Sequence, residues 1–351
     1  MPQKACIFSL GRRGGSVRYA TSVIDELDFP YEVFVSSFCI EKRPHKNITV
    51  PTYRNNVEFL ISSLFILPFL WLYLFIGLCT KKYSVLYLPY THYWNFIFIL
   101  TFKLFNVKTI STIHDGIPHS GDDYYWLYKT NCFAIRKSDH LIFLTEFVRQ
   151  KVSTNIGFSA KSSVIPHGLF SYDGVQIKNN PISTKPKLLF LGRICYYKGL
   201  DLLIQAVESL SPDSFEHLII AGENSHHLLQ VHQHPKVIWD NKWLTDTEIA
   251  THINSADILI LPYREATQSG VISIGIHSEK PMVCTNVGGL PEQLSDEACV
   301  FVEPNAQAIK EGIQALMENS NLYHTVQVNL NKIKQQLTWS RISSDIKKTF
   351  L

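Results

Sequence analysis

The stretch that decides the fold is Phe190-Leu-Gly-Arg-Ile-Cys-Tyr-Tyr-Lys-Gly-Leu-Asp201. It begins in an apolar run, Lys187–Leu191, that predicts a buried strand, and it leads into a helix with apolar residues at helical spacing. Gly192 frees the backbone where the strand ends. Arg193 and Lys198 then stand at the mouth of the helix, where two cations can clamp a diphosphate. The alternative is a pair of solvated surface cations.

The same alternation of short apolar runs and helical patterns fills the rest of the chain. In the first half, strands are predicted at Lys4–Leu10, Tyr31–Ser36, Ser84–Leu88, Thr109–Ile113 and Leu141–Leu144, and helices at Val17–Leu27, Trp94–Phe105 and Glu146–Ser153. In the second half, further strands are predicted at His217–Ala221, Val237–Trp239, Asp257–Leu261 and Met282–Thr285, and helices at Ile249–Ser255, Ala306–Met317 and Trp339–Phe350. Thr245-Asp-Thr-Glu248 matches a capping box. This alternation implies parallel sheets covered by helices on both faces.

A chain of 351 residues suits two domains, each able to bury its own core. The polar stretch Tyr172–Pro186 interrupts the alternation, so we place the linker there. The predicted domains are residues 1–171 and 187–335. A C-terminal helix, residues 336–351, is able to cross back to the first domain.

The composition limits the function classes. Lys and Arg number 33 against 30 Asp and Glu, a net charge of +3, and 18% of residues are charged against 46% hydrophobic. This balance argues against nucleic acid as a partner and against extended disorder. The seven cysteines form no C-x-x-C pair, so we expect them to be reduced. The N-terminal segment lacks the pattern of a signal peptide, which predicts a cytoplasmic protein.

One segment, Phe59–Thr80, is uncharged, very apolar and, at about 22 residues, long enough to span a bilayer. It lies between strands of one predicted sheet, so a crossing would separate the two halves of the first domain. We therefore interpret it as a helix whose outer face dips into the lipid interface, with Lys81, Lys82, Lys103 and Lys108 near anionic head groups. The alternative is a helix fully buried in the core.

A glycine-rich loop, Gly14, Gly15 and Ser16, precedes the first helix, and its free amides suit phosphate or sugar groups. The loop lacks the G-x-G-x-x-G spacing, and the following strand ends Val35-Ser-Ser37 with no acidic residue to hold a ribose. Nicotinamide binding is therefore disfavoured. A tight structural turn explains the loop as well as a ligand does.

Further segments follow in a recognisable order: Ile165-Pro-His-Gly168, Ile219-Ile-Ala-Gly-Glu223, Trp243-Leu244, Leu261-Pro-Tyr-Arg-Glu-Ala-Thr-Gln-Ser-Gly-Val271 and Lys280-Pro-Met-Val-Cys-Thr-Asn-Val-Gly-Gly-Leu-Pro-Glu292. Together with residues 190–201, they resemble the family 4 (group 1) glycosyltransferases of surface-polysaccharide biosynthesis over nearly the whole chain. The resemblance implies the GT-B fold, an α/β architecture of two Rossmann-like βαβ domains facing across a cleft. It places a nucleotide-sugar donor on the second domain.

The resemblance also implies roles for individual residues. Arg193 and Lys198 would neutralise the leaving nucleoside diphosphate as catalytic residues. The implied donor-binding residues are Gly14, Gly15, Gly192, Glu223, Trp243, Leu244, Glu265, Gln268, Ser269, Gly270 and Val271. The chain departs from the family where a second glutamate is expected, because Ser273 stands eight positions after Glu265. This departure puts in doubt how the sugar hydroxyls are held, while amides at 268–271 can still hold phosphates.

The segment Thr112-Ile-His-Asp-Gly-Ile-Pro-His119 comes just after a predicted strand, where parallel sheets present ligands. By resemblance, His114 is the active-site histidine that faces the donor sugar; the alternative is a structural histidine. Asp115 is placed to orient His114 or to contact the acceptor. His119 and Ser16 are weaker acceptor-side candidates.

No Asp-x-Asp metal clamp is evident, because Asp122-Asp123 lacks the spacing and helix capping explains Asp246-Thr-Glu248. We therefore expect no metal and no cofactor, with the nucleotide sugar as co-substrate. A polar stretch holds several histidines, for which a solvated surface is a better explanation than a metal site. These are His226, His227, His232 and His234.

The sequence thus predicts a retaining glycosyltransferase that moves a hexose from a nucleotide-diphosphate sugar to a saccharide acceptor. The apolar segment and its basic neighbours favour a polyprenyl-linked acceptor and a peripheral position at the inner face of the cell membrane. Three alternatives stay open: a nucleotide-sugar epimerase on the same scaffold, a nicotinamide oxidoreductase, and a non-catalytic membrane-surface protein that binds sugar nucleotides.

Overall fold

The computed structural model describes residues 3–120, 125–177, 181–224 and 234–351. Contacts divide the chain into two compact units. The first comprises Met1–Pro118, Asp123–Gly168 and Thr338–Leu351, and the second comprises His119–Asp122 and Leu169–Leu337. The assignment of His119–Asp122 to the second unit differs from the sequence prediction. The pair Asp122-Asp123 and the histidines His226, His227 and His232 lie outside the described residues.

Over the described residues, the first unit contains seven strands: β1 (Lys4–Ser9), β2 (Tyr31–Ser36), β3 (Ile48–Val50), β4 (Tyr83–Leu88), β5 (Lys108–Ile113), β6 (His140–Phe143) and β7 (Lys161–Val164). They form one parallel sheet in the order β3-β2-β1-β4-β5-β6-β7. The direction in which strands are added reverses between β1 and β4, which makes this the switch point of the sheet. The sequence did not predict β3 and β7, because these short strands bury few side chains and carry no apolar run.

The helices that connect these strands are α1 (Gly15–Asp25), α2 (Asn56–Cys79), α3 (Asn95–Leu104), α4 (Tyr125–Lys137) and α5 (Glu146–Asn155). The core between α3 and the sheet is aromatic. Phe8 of β1 stacks on Phe34 of β2 and on Phe98 of α3, with ring centroids 4.9 and 3.9 Å apart. The central strands are buried on both faces, which explains why they read as continuous apolar runs.

In the part of the second unit that the structure describes there are six strands: β8 (Leu188–Leu191), β9 (Leu218–Ala221), β10 (Val237–Asp240), β11 (Ile258–Leu261), β12 (Met282–Thr285) and β13 (Val300–Val302). They form a parallel sheet in the order β10-β9-β8-β11-β12-β13. The switch point lies between β8 and β11, which pair directly. The helices are α6 (Leu200–Glu208), α7 (Asp246–Ser255), α8 (Gly270–His277), α9 (Leu290–Gln293), α10 (Ala306–Glu318) and α11 (Ser320–Gln336). The predicted capping box at Thr245 and Glu248 is present and starts α7.

The last helix, α12 (Trp339–Lys348), belongs to the first unit. The buried Ser343 hydroxyl donates a hydrogen bond to the Val23 carbonyl, and Lys347 pairs with Asp28 at 2.7 Å. The chain therefore returns to its first unit after completing the second. Both units are parallel sheets alternating with helices, which confirms the predicted class of two Rossmann-like α/β units.

Helix α2 covers the apolar segment predicted at 59–80 and is largely exposed. Its 24 residues are long and apolar enough to cross a membrane, yet only 22% of its most apolar window is buried. At ~100° per residue, the exposed side chains occupy roughly two-thirds of the helix circumference. The alternative of a fully buried helix is therefore wrong. The exposed apolar residues of α2 are Val57, Leu60, Ile61, Leu64, Phe65, Phe69, Trp71, Leu72, Tyr73, Phe75 and Ile76.

The sheet excludes a membrane crossing by α2 within this fold. Strand β3 precedes the helix and β4 follows it, and both belong to the same sheet through β2 and β1. Residues Ala5 to Ile7 of β1 pair with Val85 to Tyr87 of β4. A helix that crossed a bilayer would place these paired strands on opposite sides.

Candidate active site

The predicted donor-side residues follow neighbouring strands of the second sheet, at the edge where the strands end. Arg193 and Lys198 follow β8, Glu223 follows β9, Trp243 and Leu244 follow β10, and residues 265–271 follow β11. Ligands of open α/β sheets bind at this carboxyl edge, beside the switch point. The segments after β8 and β11 flank that point, so the residues they carry lie where a ligand of the second sheet is expected to bind.

Two glycines allow these segments to pack backbone against backbone. Gly199 has φ +64°, and a Cβ at this position would lie 1.9 Å from the Pro262 carbonyl oxygen. Gly222 has φ +151°, and its Cβ would lie 2.0 Å from the Gly192 carbonyl oxygen. No side chain fits at either position, so the turns after β8, β9 and β11 are held at a fixed and close distance.

Lys198 belongs to the segment after β8, and its side chain contacts the segment after β11. Its ammonium is 3.7 Å from the centre of the Tyr263 ring and 5.3 Å from that of Tyr197. Arg193 is exposed, and its Nη2 lies 3.5 Å from the Tyr197 hydroxyl. Tyr197 thus stands between the two cations, and both belong to the turn that Gly192 and Gly199 shape.

An ion pair that the sequence did not indicate fixes this turn. Arg264 donates two hydrogen bonds to Asp201, at 2.7 and 2.6 Å, and another to the Tyr196 carbonyl. The hydrogen bond from Arg264 lowers the pKa of Asp201, and Asp201 in turn raises the pKa of Arg264. Both residues lie inside motifs quoted above, but only the fold shows that they are partners.

The start of α8 offers fewer free amides than predicted. The Ser269 amide donates to the Gln293 side chain at 2.7 Å, and the Ser269 hydroxyl accepts from the Val271 amide at 3.2 Å. Two of the four amides proposed for phosphates are therefore used within the protein. Gln268 and Gly270 remain as candidates. Among the described residues, the buried Oε1 of Gln268 has no hydrogen-bond partner.

Residues 119 and 120 lie at this edge of the second unit, whereas the sequence prediction placed His119 on the acceptor side. The His119 ring stacks on Tyr197, with centroids 4.4 Å apart, and its Nε2 lies 3.3 Å from the Thr267 hydroxyl. The Ser120 amide donates to the Glu265 carboxylate at 2.6 Å. Glu265, predicted to bind the donor, thus already holds a backbone amide. The stacking of His119 on Tyr197 could not be inferred from sequence, because these residues are distant along the chain.

The glycine loop of the first unit contains its own anion, which the prediction for Gly14 and Gly15 did not include. The buried Glu41 carboxylate accepts a hydrogen bond from the Gly14 amide at 2.9 Å and pairs with Arg18 at 2.6 Å. Gly14 has φ +100° and caps α1, whose first two residues are Gly15 and Ser16. The Glu41 carboxylate thus occupies the place at the helix start where a ligand phosphate would bind. The Gly14 amide therefore serves the fold and is not an open phosphate site.

His114 lies just after β5 and is buried. Its Nε2 is 2.9 Å from the Pro89 carbonyl, so this nitrogen donates the hydrogen bond. Burial lowers the pKa of His114, against the opposing effect of Asp115. The imidazole is therefore neutral near pH 7. Asp115 itself is exposed, and its carbonyl accepts from Asn131.

A cluster of rings that the sequence did not indicate contacts His114 through Tyr19. Tyr19 of α1 lies edge-on to His114 at 4.8 Å, and it also contacts His167 and Trp339 at 5.5 and 5.8 Å. Burial lowers the pKa of His167 to about 4. Gly168 admits no side chain, because its Cβ would lie 2.6 Å from the Trp339 ring. The last helix thus contributes Trp339 to this cluster, where it contacts Tyr19 and His167.

Over the described residues, no group of three or more His, Cys, Asp or Glu side chains comes together to hold a metal ion. Of the four clustered histidines, only His234 lies within the described residues. Its Nδ1 accepts a hydrogen bond from the Lys236 amide at 3.2 Å. The expectation of a metal-independent site stays a prediction.

Two family models match the two halves of the chain. Residues 13–169 match Glycosyltransferase Family 4, and residues 185–319 match Glycosyl transferases group 1. Together with the two Rossmann-like units, they define the class as a GT-B glycosyltransferase fold. The chain belongs to the family 4, group 1 glycosyltransferases.

Other proteins are similar to this chain in sequence or in fold. An uncharacterized 41.2 kDa protein in the cps region of Klebsiella pneumoniae is 25% identical over 234 residues, covering 62% of this chain and 64% of that protein. The chain thus matches less than two-thirds of the length of this curated relative. HepE of Anabaena, solved with UDP and glucose, has a TM-score of 0.76 at 15% identity, covering 99% of both chains. Sucrose-phosphate synthase of Thermosynechococcus elongatus has a TM-score of 0.73 at 15% identity, covering 99% of this chain and 98% of that chain.

Proposed function

We propose that the protein transfers a hexose from a nucleotide-diphosphate sugar to a saccharide acceptor with retention of anomeric configuration. The observation that carries this proposal is the position of Arg193 and Lys198 beside the switch point of the second sheet. The match to family 4 glycosyltransferases and the likeness to HepE, which was solved with UDP and glucose, support a nucleotide sugar as the donor.

Departure of a nucleoside diphosphate builds negative charge on its phosphates. Arg193 and Lys198 supply two positive charges on a turn that Gly199 and the Arg264–Asp201 pair hold in place. Charges that are positioned in advance stabilise such a transition state without reorganisation. Helix α8 begins at Gly270 on the same edge, so the positive end of its dipole adds to these two charges. In this proposal no metal ion is needed.

The neutral state of His114 suits hydrogen bonding to a sugar better than charge stabilisation. Because Nε2 donates to the Pro89 carbonyl, Nδ1 is the ring atom that can accept a hydrogen bond from a hydroxyl. The Tyr19 ring lies edge-on to the imidazole and helps to hold it in place, and the Trp339 ring contacts Tyr19. We propose that His114 accepts a hydrogen bond from a donor-sugar hydroxyl, with Asp115 and Ser16 nearer the acceptor.

We further propose a lipid-linked acceptor and a peripheral position at the inner face of the cell membrane. The support is the wide apolar surface of α2, which α3 extends through exposed Phe96, Leu100 and Leu104. The cps-region relative supports a role in surface polysaccharide synthesis.

Electrostatic attraction to lipids is weaker than the sequence suggested. Lys82 pairs with Glu32 at 2.7 Å and Lys103 with Asp139 at 2.5 Å, so two of the four lysines are neutralised within the protein. Burial of apolar side chains therefore supplies most of the proposed affinity. Binding to vesicles should depend little on salt or on anionic lipid.

The membrane part is tested by sedimentation with neutral and with anionic vesicles. Leu64→Glu, on the exposed face of α2, should weaken binding at least tenfold. The control Val164→Glu changes an exposed apolar residue on β7 of the same unit and should bind normally. Equal vesicle binding by wild type and Leu64→Glu would exclude α2 as the contact.

The catalytic part is tested by incubating the purified protein with a panel of nucleotide sugars and a lipid extract, and measuring nucleoside diphosphate release. Release from one donor that depends on the extract would establish a transferase. Conversion of the donor without any acceptor would instead support an epimerase. If folded protein releases nothing from any donor, the non-catalytic alternative gains support.

A further inference from the structure

An apolar groove of about 310 Å³ lies beside the exposed face of α2, against the edge of the first sheet. Strand β3 ends the strand order, and Ile48 and Val50 of this strand face the groove with Phe34 of β2. The helix side is formed by residues one turn apart, among them Ile66, Phe69 and Tyr73. The walls are almost entirely apolar, so water gains few hydrogen bonds in the groove.

The groove is preformed, because polar contacts fix both of its ends. At one end, the Tyr73 hydroxyl donates to Glu32 and accepts from Lys82, and its ring lies edge-on to Phe34 at 6.0 Å. At the other end, Pro51 precedes Thr52, whose hydroxyl lies 2.6 Å from that of Ser36.

The direction of the groove relates it to the proposed site. Pro51 follows the end of β3, so this end lies at the carboxyl edge of the sheet, the edge that carries His114 and the glycine loop. Tyr73 is tied to Glu32, near the opposite edge. A chain that enters at Pro51 and runs to Tyr73 leaves its polar head at the edge where parallel sheets bind ligands.

We propose that this groove binds the hydrocarbon chain of the lipid-linked acceptor, an inference that rests on the proposed transfer to such an acceptor. Three observations select this occupant: an apolar lining, continuity with the exposed apolar face of α2, and the position of the Pro51 end at the ligand edge. The volume is about twice that of an engineered ~150 Å³ cavity that holds benzene, which suits a chain of about twelve carbons.

Binding of n-alkyl phosphates to the full chain, measured by calorimetry below their micelle concentrations, tests the groove without a membrane. Dodecyl phosphate should bind, ethyl phosphate should not, and affinity should rise about fourfold per methylene until the groove is filled. Ile48→Trp fills the groove and should weaken dodecyl phosphate at least tenfold. Leu64→Trp adds the same ring to the opposite side of α2 and should change affinity less than twofold.

Each failure has a distinct meaning. If wild type does not bind dodecyl phosphate, or if Leu64→Trp weakens it as much as Ile48→Trp, the groove is not the site. Phe69→Ala removes one wall of the groove and tests the same point if Ile48→Trp does not fold.

If Ile48→Trp loses vesicle binding and transfer in equal proportion, the groove holds bulk membrane lipid, which overturns the inference. Donor turnover by wild type, with a water-soluble acceptor only, would overturn the lipid-linked acceptor while leaving glycosyl transfer in place.

Discussion

The ammonium group of Lys198 lies 3.7 Å from the centre of the Tyr263 ring, between the segments that follow β8 and β11. Tyr263 is buried, and its hydroxyl lies 3.3 Å from that of Ser269, the residue that caps α8. The ring thus connects the position of a proposed catalytic cation to the start of the helix beside it. The family motif contributes a lysine, and the fold decides where its charge is held.

Replacing Tyr263 should therefore impair donor use. Tyr263→Leu keeps an apolar side chain but removes the ring face that attracts Lys198, a contact worth about 1 kcal/mol. We expect about a fivefold fall in kcat/KM for the nucleotide sugar, measured by nucleoside diphosphate release. Tyr263→Phe keeps the ring and should retain nearly full activity. Equal losses in both variants would show that the hydroxyl, and not the ring face, matters.

Removing either proposed catalytic cation should have a larger effect. Arg193→Ala and Lys198→Ala should each lower kcat by about 10²- to 10³-fold, as loss of a positioned transition-state charge does elsewhere. Steady-state kinetics with the identified donor measures this loss. Lys185→Ala removes an exposed lysine whose nearest acidic partner, Asp213, is 3.6 Å away, and it should be silent. A change in KM alone would limit both cations to ground-state binding.

Gly199→Ala should destabilise the second unit severely. The new Cβ would meet the Pro262 carbonyl oxygen, so the loss in unfolding free energy should be about 3 kcal/mol or more. Gly174→Ala is the control, because Gly174 also has positive φ but no atom lies closer than 4.0 Å. It should cost only the left-handed backbone penalty of about 1 to 2 kcal/mol. Urea denaturation compares the two; similar losses would mean that the close approach can relax.

The first unit should lose stability in mild acid through a buried histidine. Nδ1 of His92 accepts from the Trp94 amide, its Nε2 donates to the Tyr53 hydroxyl, and burial lowers its pKa to about 3. The unfolded chain binds this proton below about pH 6.5, whereas the folded chain does not. Between pH 7.5 and 5, His92 should therefore cost about 2 kcal/mol of unfolding free energy.

The variant His92→Gln removes this titration and should flatten the pH dependence by that amount, whatever its effect at pH 7.5. Urea denaturation followed by tryptophan fluorescence measures it, because the Trp94 ring lies 5.5 Å from His92. Parallel pH curves for wild type and variant would contradict the assignment of a neutral, buried His92.

Much of the fold was predictable because its signals are local. Buried parallel strands such as Tyr31–Ser36 and Met282–Thr285 read as apolar runs, and the observed bounds equal the predicted ones. The capping box at Thr245 and Glu248 was predictable for the same reason, since its partners are three residues apart. Short edge strands such as Ile48–Val50 carry no such signal, because they bury few side chains.

The site was predictable only in outline. The order of motifs along the chain places Arg193 and Lys198 after β8, Trp243 after β10 and Gln268 after β11, and parallel strands bring those ends to one edge.

The sequence by itself therefore determined the two alternating units, the family and the loops that carry the candidate residues. Only the tertiary structure decided that Glu41 caps the Gly14 amide, that His119 stacks on Tyr197, and that α2 exposes most of its circumference. The physical reason is the range of the forces involved. Strand and helix patterns arise from neighbours in the chain, whereas a buried carboxylate, a ring stack or an apolar groove depends on groups that meet only after folding.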